Sequence, residues 1–360
     1  MNVQKLLFII PALPDYVPYV YNYFKIAEDV GKEYDVVCWN RRGMEAVLPA
    51  NYIVYNHPTK DSYPTLKKLR EIYIFSRFVR KSIRGRKYDA VFTYTIADTL
   101  FFGFWLPRCY KGRYVFDIRD YSPLISNRFT GWIIKRLLGA SAMNVISSDG
   151  FRKWLPKGFD YTVCHNTDLE KVRESIHNYE LRQQDGTIRL LTIGNLRNAD
   201  ANQSVIDALA NREGIELQFA GGGVSDKLQL HCKENNIKNV HFSGRYRKED
   251  EDSLVQQCDM MNIMLPHDAV SDHLMSNRFY LSVRFRKPMV VNDNCFQAEV
   301  VRHYRLGLVA SADSSLCEKI ITYYYHLDWE QYNENCVKYL HDVCDELDIF
   351  KKRVENLICK

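Results

Sequence analysis

Ile188-Arg189-Leu190-Leu191-Thr192-Ile193-Gly194-Asn195-Leu196-Arg197 is the stretch that decides the fold. Six strand-forming residues end on a glycine, and a helical pattern follows over 201–211. The same order returns at once: the strand Ile215–Ala220, the turn Gly221-Gly222-Gly223, then a helix over 225–235. Strand, glycine turn and helix at this spacing require a crossover back to a parallel neighbour. The alternation runs on through strands at 239–242, 260–265 and 289–291, with helices at 249–257, 276–286 and 314–326. Asp250-Glu251-Asp252 resembles a metal-binding Asp-x-Asp, yet acids that open a helix complement its dipole, and no metal is expected.

Moving toward the N-terminus, the alternation is found again. Strands are expected at Leu6–Ile10, 34–39, 51–55, 90–94, 113–116 and 144–147, with helices over 17–30 and 65–84 between them. The polar, charge-rich stretch 168–185 reads as a linker. The expected organisation is therefore α/β, with two Rossmann-like doubly wound parallel-sheet domains facing a cleft. The first covers 1–167 and the second 186–331, and a terminal helix over 332–360 returns to the first. Ligands of such sheets bind beyond the carboxyl ends of the strands, at helix N-termini. Two of them suit group transfer between two bound partners.

At 360 residues and 46% hydrophobic content the chain can build two cores, and 26% charge is too low for disorder. Residues 1–165 hold 25 Lys and Arg against 14 Asp and Glu, a charge of +11, whereas the remainder carries −6. The basic half calls for an anionic partner. Neither a recognition module nor an aromatic platform for single strands is present, so nucleic acid is not expected. Ten scattered cysteines without a Cys-x-x-Cys pair, and a start lacking the layout of a leader, point to a cytoplasmic protein. The loop Pro11-Ala12-Leu13-Pro14-Asp15 after the first strand lacks Gly-x-Gly-x-x-Gly, which argues against a dehydrogenase, and no Walker lysine motif occurs.

Lys67 to Lys87 contains nine basic residues and one acid, Glu71. Leu69, Ile72, Phe75, Val79 and Ile83 can turn inward to a core while Arg77, Arg80, Arg84 and Arg86 face an anionic membrane. Phe101, Phe102, Phe104 and Trp105 are read mainly as core.

A further segment, Ser276-Asn277-Arg278-Phe279-Tyr280, opens a helix that Lys287-Pro288 stops before a buried strand. With Gly194, Gly221 to Gly223, Phe242-Ser243-Gly244, Cys258-Asp259-Met260 and Gly307-Leu308-Val309, its order resembles GT-B glycosyltransferases of the family-4 type. Phe116-Asp117-Ile118-Arg119-Asp120, Ser147-Ser148-Asp149-Gly150-Phe151 and His165-Asn166 are similar to first-domain segments of polysaccharide-assembly members. The resemblance implies a metal-independent hexosyltransferase with no cofactor, which moves a sugar from a UDP- or GDP-linked donor to a saccharide or lipid-linked acceptor. Surface polysaccharide, capsule or glycolipid synthesis at the inner face of the cell membrane would be its setting.

Donor binding then falls to Gly194, Arg197, Gly221, Gly222, Asn277, Arg278 and Tyr280. Asp117 and Asp120 are candidate bases and Arg119 a candidate for acceptor phosphate. For Asp117 and Arg119 a structural ion pair carries equal weight, and for Tyr280 a place in the core carries more. The family's acidic pair would fall on His273 and Leu281, neither of them acidic. That departure motivates the alternative of a catalytically degenerate GT-B-like binding subunit.

Overall fold

A computed structural model describes residues 5–45, 47–60, 62–179 and 186–359. The chain forms two compact units: one runs to His165 and takes in the residues from Glu346 onward, and the other spans Asn166–Asp345.

In the first unit, β1 (Lys5–Ile10), β2 (Glu33–Asn40), β3 (Tyr52–Asn56), β4 (Ala90–Tyr94), β5 (Tyr114–Ile118), β6 (Met143–Ile146) and β7 (Thr162–Val163) form one sheet. Its order is β3-β2-β1-β4-β5-β6-β7, and every pairing is parallel. The order reverses between β1 and β4, which is where a doubly wound sheet opens a crevice. The central strands are buried on both faces, hence their unbroken apolar runs such as Leu6-Leu7-Phe8-Ile9-Ile10.

The second unit repeats the plan with β8 (Ile188–Ile193), β9 (Ile215–Ala220), β10 (Val240–Gly244), β11 (Met260–Asn262), β12 (Met289–Val291) and β13 (Gly307–Val309), in the order β10-β9-β8-β11-β12-β13. Its core gathers Leu190, Val205, Leu217, Phe219, Met260 and Val290 among other apolar side chains from the strands and the helices covering them. The Asp of the Cys258-Asp259-Met260 segment is wholly inside and accepts from the Arg189 backbone N–H at 2.9 Å and from its Nε at 3.1 Å. This ties β8 to the start of β11.

Two expectations are corrected. Within the stretch read as a linker, Leu169–His177 is a helix, capped by Asp168, whose carboxylate accepts from the Lys171 N–H at 3.0 Å. Val172, Ser175 and Ile176 form its buried stripe, too sparse among charged neighbours to stand out in the sequence. It belongs with the second unit, while 180–185 lie outside the described residues. The terminal segment is one helix, Trp329–Ile358, shared between the units: up to Asp345 it clusters with the second, and from Glu346 with the first. There Phe350 packs edge-on against Tyr23, ring centroids 5.1 Å apart.

Candidate functional site

Ile193 pairs with Ala220 in the β8–β9 ladder, so the glycines that follow, Gly194 and Gly221, leave the sheet side by side. Both have positive φ, +102° and +147°. A Cβ on Gly221 would stand 1.8 Å from the Gly194 carbonyl oxygen, and one on Gly223 2.4 Å from the Leu196 carbonyl. These glycines exist because the two turns pack backbone on backbone. Hydrogen bonds lock them: Leu196 N–H to the Gly222 carbonyl and Val224 N–H to the Leu196 carbonyl, both at 2.9 Å.

Three arginines surround this double turn. Arg278, on the helix Asn277–Arg284, sends its guanidinium back to the Ile193 carbonyl through Nε, and to the Asn195 carbonyl through Nη2 at 3.4 Å. Burial pulls its pKa down to about 10; the Tyr246 phenol opposes that shift, and neighbouring Arg197 adds to it. Arg197 lies exposed in the loop after β8. Arg245, directly after β10, places Nε within 2.9 Å of where a Gly222 Cβ would be. Among the described residues no carboxylate is ion-paired with any of the three. Guanidinium groups gathered without a counter-charge at the carboxyl edge of a parallel sheet make a candidate anion site, with chemistry suited to bidentate contact with phosphate oxygens.

The structure separates the other expected donor residues. Asn277 is exposed, and its Oδ1 accepts from Asn166 Nδ2 at 2.5 Å. Tyr280 is 1% exposed and sits in the core beside Phe279, so it does not line the double turn. Arg245 escaped sequence reading, although its position directly after Phe242-Ser243-Gly244 was a usable signal.

In the first unit Asp117 is wholly buried at the end of β5. Its Oδ2 accepts from Arg119 Nη2 and from the Tyr23 hydroxyl, each at 2.6 Å. Arg119, 6% exposed, also donates to the Cys164 carbonyl at 3.1 Å and lies 4.5 Å over the Tyr19 ring. Neither side chain offers surface to an acceptor in this arrangement, because both are buried beneath tyrosines, although Asp117 Oδ1 and Arg119 Nε have no hydrogen-bond partner among the described residues. Asp120, three residues on, is exposed. The acids of Asp250-Glu251-Asp252 are partly spent on neighbours, Arg247 at 3.0 Å and Lys248 in a closer pair. Among the described residues, no group of three or more His, Cys, Asp or Glu is placed to hold a metal ion.

No protein-family model matches the chain, and no curated protein matches its sequence. Solved structures do match in shape. Sucrose-phosphate synthase from Thermosynechococcus elongatus superposes with a TM-score of 0.71 at 12% identity, over 97% of this chain and 98% of that one. Anabaena HepE in complex with UDP gives 0.67 at 14%, over 97% and 99%. The fold is GT-B. WaaG, a glycosyltransferase involved in lipopolysaccharide biosynthesis, has the same GT-B architecture, with a TM-score of 0.60 at 13% identity over 96% of this chain and 98% of that one. Within this GT-B chain, the arginine-ringed double turn stands at the carboxyl edge of the C-terminal sheet, at β8, next to the point where strand order reverses.

Proposed function

We propose that this chain is a nucleotide-sugar-dependent glycosyltransferase of the family-4 type, transferring a hexose from a UDP- or GDP-linked donor to a saccharide or lipid-linked acceptor. The observation that carries the reading is the trio Arg197, Arg245 and Arg278, without carboxylate partners, around the Gly194 and Gly221 turns. When the bond from the anomeric carbon to the diphosphate breaks, the departing diphosphate gains negative charge. Fixed guanidinium groups stabilise that charge with little rearrangement, and without a metal. The acceptor hydroxyl loses its proton as it attacks, and we assign the exposed Asp120 to receive it; Asp117 and Arg119 position the strand end that carries it. The UDP complex of HepE and the lipopolysaccharide role of WaaG, both properties of those proteins, support a donor of this class and a setting in surface polysaccharide or glycolipid synthesis.

We also assign the first unit a docking face for the inner surface of the cell membrane. Phe104, Phe129 and Trp132 are all more than half exposed, and the Phe104 and Trp132 rings lie 6.0 Å apart. Exposed Arg108, Arg128, Lys135 and Arg136 surround them. On the helix Thr65–Ser82, Ile72, Phe75 and Val79 are buried, whereas Arg77 is exposed together with Leu66 and Tyr73. Exposed aromatic rings within a cationic rim match the interface of an anionic bilayer. Among the described residues no helix is long and apolar enough to cross a membrane.

Isothermal titration with UDP and GDP tests the donor reading. Saturable binding of one of them, weakened in Arg278→Ala, is expected; no binding to either overturns it. Leu281, where the family's acidic pair would have a member, is buried and apolar. Binding without sugar transfer to any acceptor tested would therefore favour the degenerate binding subunit.

A further inference from the structure

The second unit contains a cavity at the other edge of its sheet. It measures 810 Å³ and lies among the helix Leu169–His177, the end of the helix Glu251–Gln257 and the residues leading into β12. Gln256 stands just before β11 and Arg284 just before β12, so the cavity is at the amino edge, whereas the arginine-ringed turns are at the carboxyl edge. The volume is in the range of small-molecule sites.

Its lining mixes charges that do not cancel. Arg284 lines it with a buried Nε that has no hydrogen-bond partner. Carboxylates influence that guanidinium from Asp252 and Glu174, also in the lining, yet neither forms an ion pair with it. Planar groups add to the wall, notably the Gln256 amide and the rings of Tyr179 and Phe285. Tyr179 is itself held in place, its ring 4.5 Å beneath the Arg286 guanidinium and its hydroxyl accepting from Asn333 Nδ2 at 2.8 Å.

These groups select by exclusion. A simple anion would face Glu174 and Asp252, and a simple cation would face Lys171, Arg284 and Lys287. A neutral ring of hydroxyl groups satisfies all of them, because each hydroxyl both donates and accepts. Its C–H faces can rest against the aromatic rings.

We infer that this cavity is a saccharide-binding site, separate from the diphosphate cradle, that takes an uncharged sugar or oligosaccharide. Arg284 donates to hydroxyl oxygens, Asp252 and Glu174 accept from hydroxyl groups, and Tyr179 and Phe285 supply apolar walls. Nothing in this assignment depends on the donor reading, since the two sites occupy opposite sheet edges and share no residue.

Saturation-transfer NMR on the full chain, with glucose, galactose, N-acetylglucosamine and maltotriose as probes, tests the assignment. At least one probe should show transfer that survives saturating UDP. Its affinity should fall at least tenfold in Arg284→Met and in Gln256→Ala, the latter on an exposed helix turn where folding is not at stake. No transfer from any probe, displacement by UDP, or unchanged affinity in Gln256→Ala together with a folded Arg284→Met would each overturn it. UDP titration reads the other edge alone, so failure here leaves the donor reading standing, and the reverse holds too.

Discussion

His165 Nε2 and Glu346 Oε2 are 2.6 Å apart, and these are the two residues at which the chain passes between its compact units. One ends the first unit's main segment, and the other begins the part of the terminal helix that belongs with it. The pair closes a loop of 181 residues with a side-chain contact. Glu346 is half-exposed, so water weakens the pair even though His165 is mostly covered. Glu346→Ala should therefore cost no more than about 1 kcal/mol and lower the thermal midpoint by a few degrees. Differential scanning calorimetry measures this.

Gly221 and Gly222 are neighbours in sequence with different duties. Gly221→Ala forces a Cβ onto the Gly194 carbonyl at a φ of +147°. A cost of about 3 kcal/mol or more is expected, read from chemical denaturation. At Gly222 the nearest obstacle is the flexible Arg245 side chain, and φ is not positive. Gly222→Ala should keep its stability to within about 1 kcal/mol while displacing Arg245, so UDP affinity falls and the melting curve barely moves.

Arg278→Ala removes a charge-assisted contact and should weaken UDP or GDP binding roughly 10- to 100-fold. The sign of the pH dependence follows from its lowered pKa. The guanidinium stays charged below about 10 and loses its proton above it. Nucleotide affinity should therefore be level across neutral pH, where the guanidinium keeps its charge.

Asp35 is the buried acid that couples the first unit to pH. Burial, the strongest influence, raises its pKa, but bonds from Lys5 at 2.8 Å, the Tyr88 hydroxyl at 2.7 Å and Arg86 at 2.9 Å together hold it below the ordinary value. A lowered pKa contributes stability above the unfolded value of about 3.9 and loses it as pH falls through the folded one. Asp35→Asn should cost about 1–3 kcal/mol at neutral pH, with the gap from the parent closing below pH 4. Urea titrations at pH 7 and pH 3 check both halves.

Phe129→Ala with Trp132→Ala should reduce co-sedimentation with anionic vesicles several-fold and leave thermal stability unchanged, because both rings are exposed. Binding to neutral vesicles should be weak in either protein, and 0.5 M salt should weaken the anionic case. Indifference to lipid charge would remove the docking face.

The amino-acid sequence by itself determined most of the strands and their alternation with helices. Ile188–Ile193, Ile215–Ala220 and Met289–Val291 are strands at the bounds that their apolar runs and flanking glycine or proline dictate. Such signals are local, and a buried parallel strand states them within six residues. The glycine turns were legible for the same reason. What those glycines are for was not, because the clash that forbids a side chain at Gly221 comes from the neighbouring strand's turn.

Tertiary structure alone decided which charged groups are spent and which stay available. Asp117 and Arg119 looked equally fit for chemistry or for pairing until Tyr23, 94 residues away, closed over them. Arg245 joined Arg197 and Arg278 because β10 lies beside β9 and the helix from Asn277 returns to β8. The helix Leu169–His177 escaped notice because its stability comes from a thin buried stripe and from Arg286, 111 residues on, donating to the Ser175 carbonyl. Burial and charge compensation are properties of the surroundings, and a linear pattern records them only when the surroundings are also local.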